Sequence, residues 1–168
     1  MVLATHALVG AILSQSLRGR PVLGFLIAFL SHFLLDSIPH WDYKLMSRKI
    51  DESDPLNLNM ISGRNFIFDL SKIGLDFMIG AGLSFLLFYF LGNISLLQIL
   101  AGVFGATFPD FLQFIYMKAK VRPVISLQKF HKWIHASYKM KERYILGSFL
   151  QATLVLILTF VFRYFSLI

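Results

Sequence analysis

The chain has no cysteine, and in 168 residues it has only nine acidic residues, two of them glutamate. Without cysteine there are no disulfides and no thiolate ligands, so any bound metal must be held by His, Asp or Glu. Charged residues of all kinds make up 15% and hydrophobic residues 57%. A soluble domain usually carries about 25% charged and about 45–50% apolar residues. The balance points to an integral membrane protein, with 18 phenylalanines to face lipid and pack helices. No internal repeat or low-complexity segment stands out. No nucleic-acid motif accompanies the net charge of +7, so that charge is assigned to cytoplasmic loops and anionic lipid headgroups. No basic segment precedes the first apolar run, and His6 interrupts it early. It therefore reads as a retained helix, not a cleaved signal peptide.

Five apolar runs, at residues 2–17, 22–38, 66–91, 96–117 and 144–162, predict one all-α domain over 1–168. It would be a membrane bundle of about five transmembrane helices, with the first run near the lower length limit for a span. Arg18-Gly19-Arg20-Pro21 reads as a tight turn, with Pro21 opening the second helix. Residues 40–65 read as a loop on one membrane face, with room for a short surface helix. Residues 118–143 carry eight basic residues and one acidic one, Glu142. Phe130, Trp133, Ile134 and Tyr138 are interleaved at helical spacing, which predicts an amphipathic helix in the interface. With five spans, twelve basic residues fall on the side of the N-terminus and these two polar stretches, and three on the other. That side is therefore expected to be cytoplasmic.

The polar residues that break the apolar runs all fall toward that same face. They are His6, His32, Asp36, His40, Asp42, Asp69, Lys72, Asp76, Asp110, His131 and His135, with all five histidines among them. An ionisable group inside a membrane costs roughly 2.5–3.5 kcal/mol even on lenient scales. Sharing one depth implies sharing one pocket. His32 and Asp36 are four apart, on one helix face. Pro39 ends that helix, and His40 and Asp42 follow. His131 and His135 stand one turn apart, a common divalent-metal clamp. Imidazole and carboxylate suit zinc or a similar divalent ion. The metal candidates are His6, His32, Asp36, His40, Asp42, Asp76, Asp110, His131 and His135, and a second ion is possible. Such an ion would lower the pKa of water to about 7, and Lys132 or Lys72 would stabilise phosphate charge. Each element also has a plainer reading. His32 and Asp36 can glue helices, His131 and His135 can sit at headgroup depth, Asp110 can be a solvated helix stop, and Asp69, Lys72 and Asp76 can neutralise one another along their stripe.

Thr5-His6, His32-x-x-x-Asp36, Pro39-His40-x-Asp42, Pro109-Asp110 and the late His131/His135 pair together resemble the small membrane-bound, metal-dependent hydrolases of the LexA-regulated inner-membrane type. Those proteins are distantly similar to zinc-dependent phospholipase C. The His-x-x-x-Asp element comes early here, Asp110 is not followed by Asp-His, and the paired histidines are four apart where the family's are five. The resemblance implies His6, His32, Asp36 and Asp110 as ligands, with His131 and His135 as the paired-histidine element. The leading functional expectation is a metal-dependent hydrolase acting on a phospholipid or another phosphoester or ester at the cytoplasmic leaflet. A metal or proton transporter and a non-catalytic scaffold are the alternatives.

Overall fold

The structure is a computed structural model. It describes all residues except 52, 53, 55, 138, 139, 141 and 166–168. Glu52, Pro55, Tyr138, Lys139 and Lys141 of the two polar stretches therefore lie outside the described residues, as does the side chain of Arg163.

Among the described residues the regular structure is all-helical apart from one small hairpin. The helices are α1 (Leu3–Gln15), α2 (Pro21–Asp36), α3 (Arg64–Ser84), α4 (Leu96–Ala119), α5 (Arg122–Ile134) and α6 (Tyr144–Phe165), and α3 continues as a π-helical segment over Phe85–Phe90. A helix stands in each of the five apolar runs, but among the described residues only three are long and apolar enough to cross a membrane: Arg64–Phe90, Leu96–Ala119 and Tyr144–Phe162. This corrects the expected five. The 13 residues of α1 and 16 of α2 reach about 20 and 24 Å at 1.5 Å per residue, short of a hydrocarbon core about 30 Å thick. The cause is local. Gly19 at φ 77 turns the chain beyond α1, and Pro39 disfavours further helix beyond α2. Pro109 does not end α4, which runs on to Ala119.

The short α1 is the centre of the bundle. Ten of its 13 residues are buried, and it packs against α2, α3, α4 and α6. Ala7, Ala11 and Ile12 meet Ile99 and Val103 of α4 in the main core. The approach is close because Gly10 and Gly102 face each other, each lying where the other's Cβ would stand. The outer helices expose apolar side chains in long stripes. On α2, Val22, Leu26, Leu30 and Leu34 recur every fourth residue. Exposed apolar surface on this scale is expected of a membrane partner.

Among its described residues the 40–65 stretch forms no surface helix. Instead β1 (Arg48–Ile50) pairs antiparallel with β2 (Leu58–Met60), with Arg48 opposite Met60. Contacts to the helices hold this short hairpin. The Asp69 carboxylate accepts from the backbone N–H and the hydroxyl of Ser47, both at 2.7 Å. The Tyr116 hydroxyl donates to Leu56 O at 2.6 Å, and Lys118 Nζ to Met60 O at 3.1 Å. Asp69→Ala is expected to leave the Ser47 donors without their acceptor and to cost about 1–3 kcal/mol. Amide hydrogen exchange should then quicken in β1 and β2 ahead of the helices.

Candidate metal centre

One carboxylate lies at the focus of the molecule. Asp36, the last residue of α2, is 2% exposed, and all five histidines reach it through Nε2. His6 lies 3.2 Å from Oδ1 and His40 3.7 Å, while His131, His32 and His135 stand 2.9, 3.4 and 3.7 Å from Oδ2. The N-terminal ammonium of Met1 donates to Oδ1 at 2.9 Å and stands 2.6 Å from His40 Nε2. Asp110 joins from α4, its Oδ1 3.7 Å from His32 Nε2.

Four separate segments make this convergence. His6 is on buried α1, and its ring stacks on that of His32 at 4.1 Å. His32 and Asp36 share the inner face of α2, and His40 follows where Pro39 has ended the helix. α5 turns its Gln128 and His131 inward, each 3% exposed. His135 lies just past the last helical residue, in extended conformation, so the two histidines are not both helical as the spacing predicts. They remain adjacent because the His135 N–H donates to His131 O at 3.1 Å, and their rings are 5.9 Å apart.

Two histidines have their tautomers set by carbonyls. His32 Nδ1 is 2.8 Å from Ala106 O, and His40 Nδ1 is 2.7 Å from Ile38 O. A carbonyl only accepts, so Nδ1 carries the proton in each. In the neutral ring this aims the Nε2 lone pair into the cluster, the state a metal ligand requires. His6 is completely buried, and neither of its ring nitrogens has a hydrogen-bond partner. Its Nε2 is close to Asp36 but lacks hydrogen-bond geometry. A buried polar group left in this state asks for a further partner. The residues therefore fit a divalent ion in number, donor type and orientation. Two sets offer ligand atoms within 4.8 Å of one another: His32, Asp36, Asp110 and His131, and next to it Asp36, His40 and His135.

The remaining candidates are placed elsewhere. Both oxygens of Asp76 accept from backbone N–H groups, of Leu3 at 2.7 Å and Ala4 at 3.2 Å. They satisfy the open donors at the start of α1, which has no side-chain cap of its own. Asp42 is exposed and accepts from the Tyr43 N–H at 2.8 Å. Protein crowding around its carboxyl disfavours the charge and pushes it up to about 6, against the pull of the N-terminal ammonium. Burial also raises the Tyr43 hydroxyl, with the charges of Asp76 and Asp42 acting in the same direction. Lys72 Nζ lies 3.7 Å from Asp69 Oδ1. Lys132 lines a cleft of about 320 Å3 that opens onto His131 and His135.

No family model matches the chain, and no curated protein or solved structure matches it. Its chemistry is therefore argued from the site.

Two participants escaped the sequence reading. Gln151, the one amide in an apolar helix, accepts from Val2 N–H at 3.2 Å and from the Thr5 hydroxyl at 3.1 Å, and donates to Trp41 O at 2.9 Å. It ties α6 to the start of α1 and to the segment after His40. Its being the only amide in α6 was the available signal. Arg48 counted only as a loop charge, yet it lines the cleft. Burial works against its guanidinium charge, while Asp42 and Asp110 support it.

Proposed function

We propose that the chain is a membrane-embedded, metal-dependent hydrolase acting on a phospholipid or another phosphoester or ester. The observation that carries this reading is the convergence of five histidines from separate segments on Asp36. The likeness of its short motifs to the LexA-regulated inner-membrane hydrolases supports the same conclusion. In this reading α3, α4 and α6 cross the bilayer and the α1–α2 hairpin enters it from the cluster's face. The excess of basic residues supports a cytoplasmic position for that face and the N-terminus, and the likeness to inner-membrane hydrolases supports the inner membrane. The outer face of α5, where Trp133 is 78% exposed, lies among anionic headgroups.

His32, Asp36, Asp110 and His131 would hold one ion, with zinc suited to the donor set. Asp36, His40 and His135 offer an adjoining place that shares Asp36. When bound, the ion supplies Lewis acidity and makes water a nucleophile near neutral pH. The chain supplies the rest. The Ala106 and Ile38 carbonyls hold His32 and His40 in register. The Asp110 side chain, 31% exposed, stands on the open side of the first ligand set. Lys132 at the cleft rim stabilises negative charge on the substrate. A transport path has less support, because the buried side chains toward the other end of the bundle, such as Ser14, Ser84 and Gln98, are uncharged.

Elemental analysis of the purified protein tests the reading. At least one divalent ion per chain is expected in the wild type and only background in His32→Ala with His135→Ala. Phosphoester hydrolysis should fall by at least about a hundredfold in the same variant. An intact, folded wild type without metal would end the reading.

A further inference from the structure

The cleft beside the cluster has its own chemistry. Its polar lining comes from Arg48 on β1, Gln113 on α4, Gln128, His131 and Lys132 on α5, and His135. Two permanent cations face it, and no carboxylate does among the described residues. We propose that this cleft is an oxyanion subsite in which Arg48 and Lys132 hold the phosphate group of the substrate against the His131–His135 edge of the cluster. The proposal rests on the hydrolase reading and names the substrate class as phosphoester.

Arg48 is the informative residue. It is half-buried, and its Nε is fully enclosed without a hydrogen-bond partner. Enclosing a charged donor without an acceptor is costly, and the cost falls away if an anionic oxygen enters. Its position is also built. The hairpin carrying it is held to α3 through Ser47 and Asp69, and to α4 through Tyr116 and Lys118. A guanidinium held this way presents a planar fork suited to phosphate oxygens. Across the cleft, Gln113 Nε2 donates to Gln128 Oε1 at 3.3 Å, a neutral wall with no charge to repel an anion. A volume of about 320 Å3 lies at the small end for ligand sites. It suits a phosphate with a compact headgroup and leaves acyl chains outside. The ester oxygen of a phosphate seated there would lie beside His131 and His135, and through them beside Asp36.

The shared chemistry is a phosphate ester, either on a lipid or free in solution. The full chain in detergent micelles is titrated calorimetrically with inorganic phosphate, and its divalent-ion content is measured on the same samples. The ion-loaded wild type is expected to bind phosphate. Arg48→Gln should weaken that binding roughly tenfold or more with ion content unchanged, and the exposed Lys132→Gln should weaken it by a smaller factor. Displacement of phosphate by phosphatidic acid in mixed micelles, but not by glycerol phosphate, would assign the lipid as source. The converse would assign a soluble ester, and either keeps the subsite. No phosphate binding by the ion-loaded wild type, or equal affinity in Arg48→Gln, overturns it. If Arg48→Gln fails to fold, unchanged affinity in Lys132→Gln overturns it instead. A wild type without bound ion counts against the metal reading, which the ion measurement registers separately.

Discussion

Asp36→Asn is expected to empty the protein of divalent metal and to destabilise it by about 3–5 kcal/mol, the cost of breaking a buried charge pair by removing one partner. Asp36 is common to both candidate ligand sets, so its charge cannot be lost from one and kept in the other. It is also the acceptor for the buried N-terminal ammonium, which the substitution would leave facing imidazoles. The amide is nearly the same size, so packing stays constant and the change reports charge. Elemental analysis and denaturant unfolding in the same detergent check the two halves. Retained metal with unchanged stability would show that Asp36 is not the hub its neighbours make it.

Gly102→Leu is expected to have an effect of comparable size through a different route. A side chain at 102 meets the backbone of Gly10 on α1, and the obstruction is reciprocal. Ordinary overpacking costs about 1–3 kcal/mol because side chains can shift. Here the obstacle is main chain, so the helices must part. Asp110 travels with α4, and α1 carries the His6 ring that stacks on the ligand His32, so parting them should weaken metal binding along with stability. Gly82→Leu is the control, since nothing lies within 4 Å of the Cβ position there, and it should change neither. Size-exclusion profiles, thermal unfolding and metal content of the two variants would separate a packing defect from a general intolerance of leucine.

The gathering of the histidines was legible because it follows from topology. Once the apolar runs alternate in direction, His6, His32, Asp110 and His131 must share an end of the bundle, whatever their distance in sequence. Helix length was less legible. The runs 2–17 and 22–38 are apolar throughout, and only the chain reversals around Gly19 and beyond Asp36 show how few residues are helical. The hairpin was invisible for another reason. Strands of three residues carry no readable alternation, and the hairpin is held at Ser47, Leu56 and Met60 by Asp69, Tyr116 and Lys118 from elsewhere. Asp76 shows a third limit. A carboxylate facing main-chain donors at the start of another helix has the same spacing pattern as one facing a metal. Composition does not distinguish them, because the donors of Leu3 and Ala4 belong to the backbone.

The burial of α1 bears on how the molecule is made. Helix α1 is made before every neighbour it packs against, has almost no lipid-facing surface of its own, and is too short to rest stably across a bilayer. Its neighbours arrive in turn, and the last of them, α6, brings the Gln151 that fastens its opening turn. A nascent chain therefore holds histidines but no completed pocket. Ion capture becomes a late event in biogenesis, because each ligand set needs His131 or His135, at or just past the end of α5.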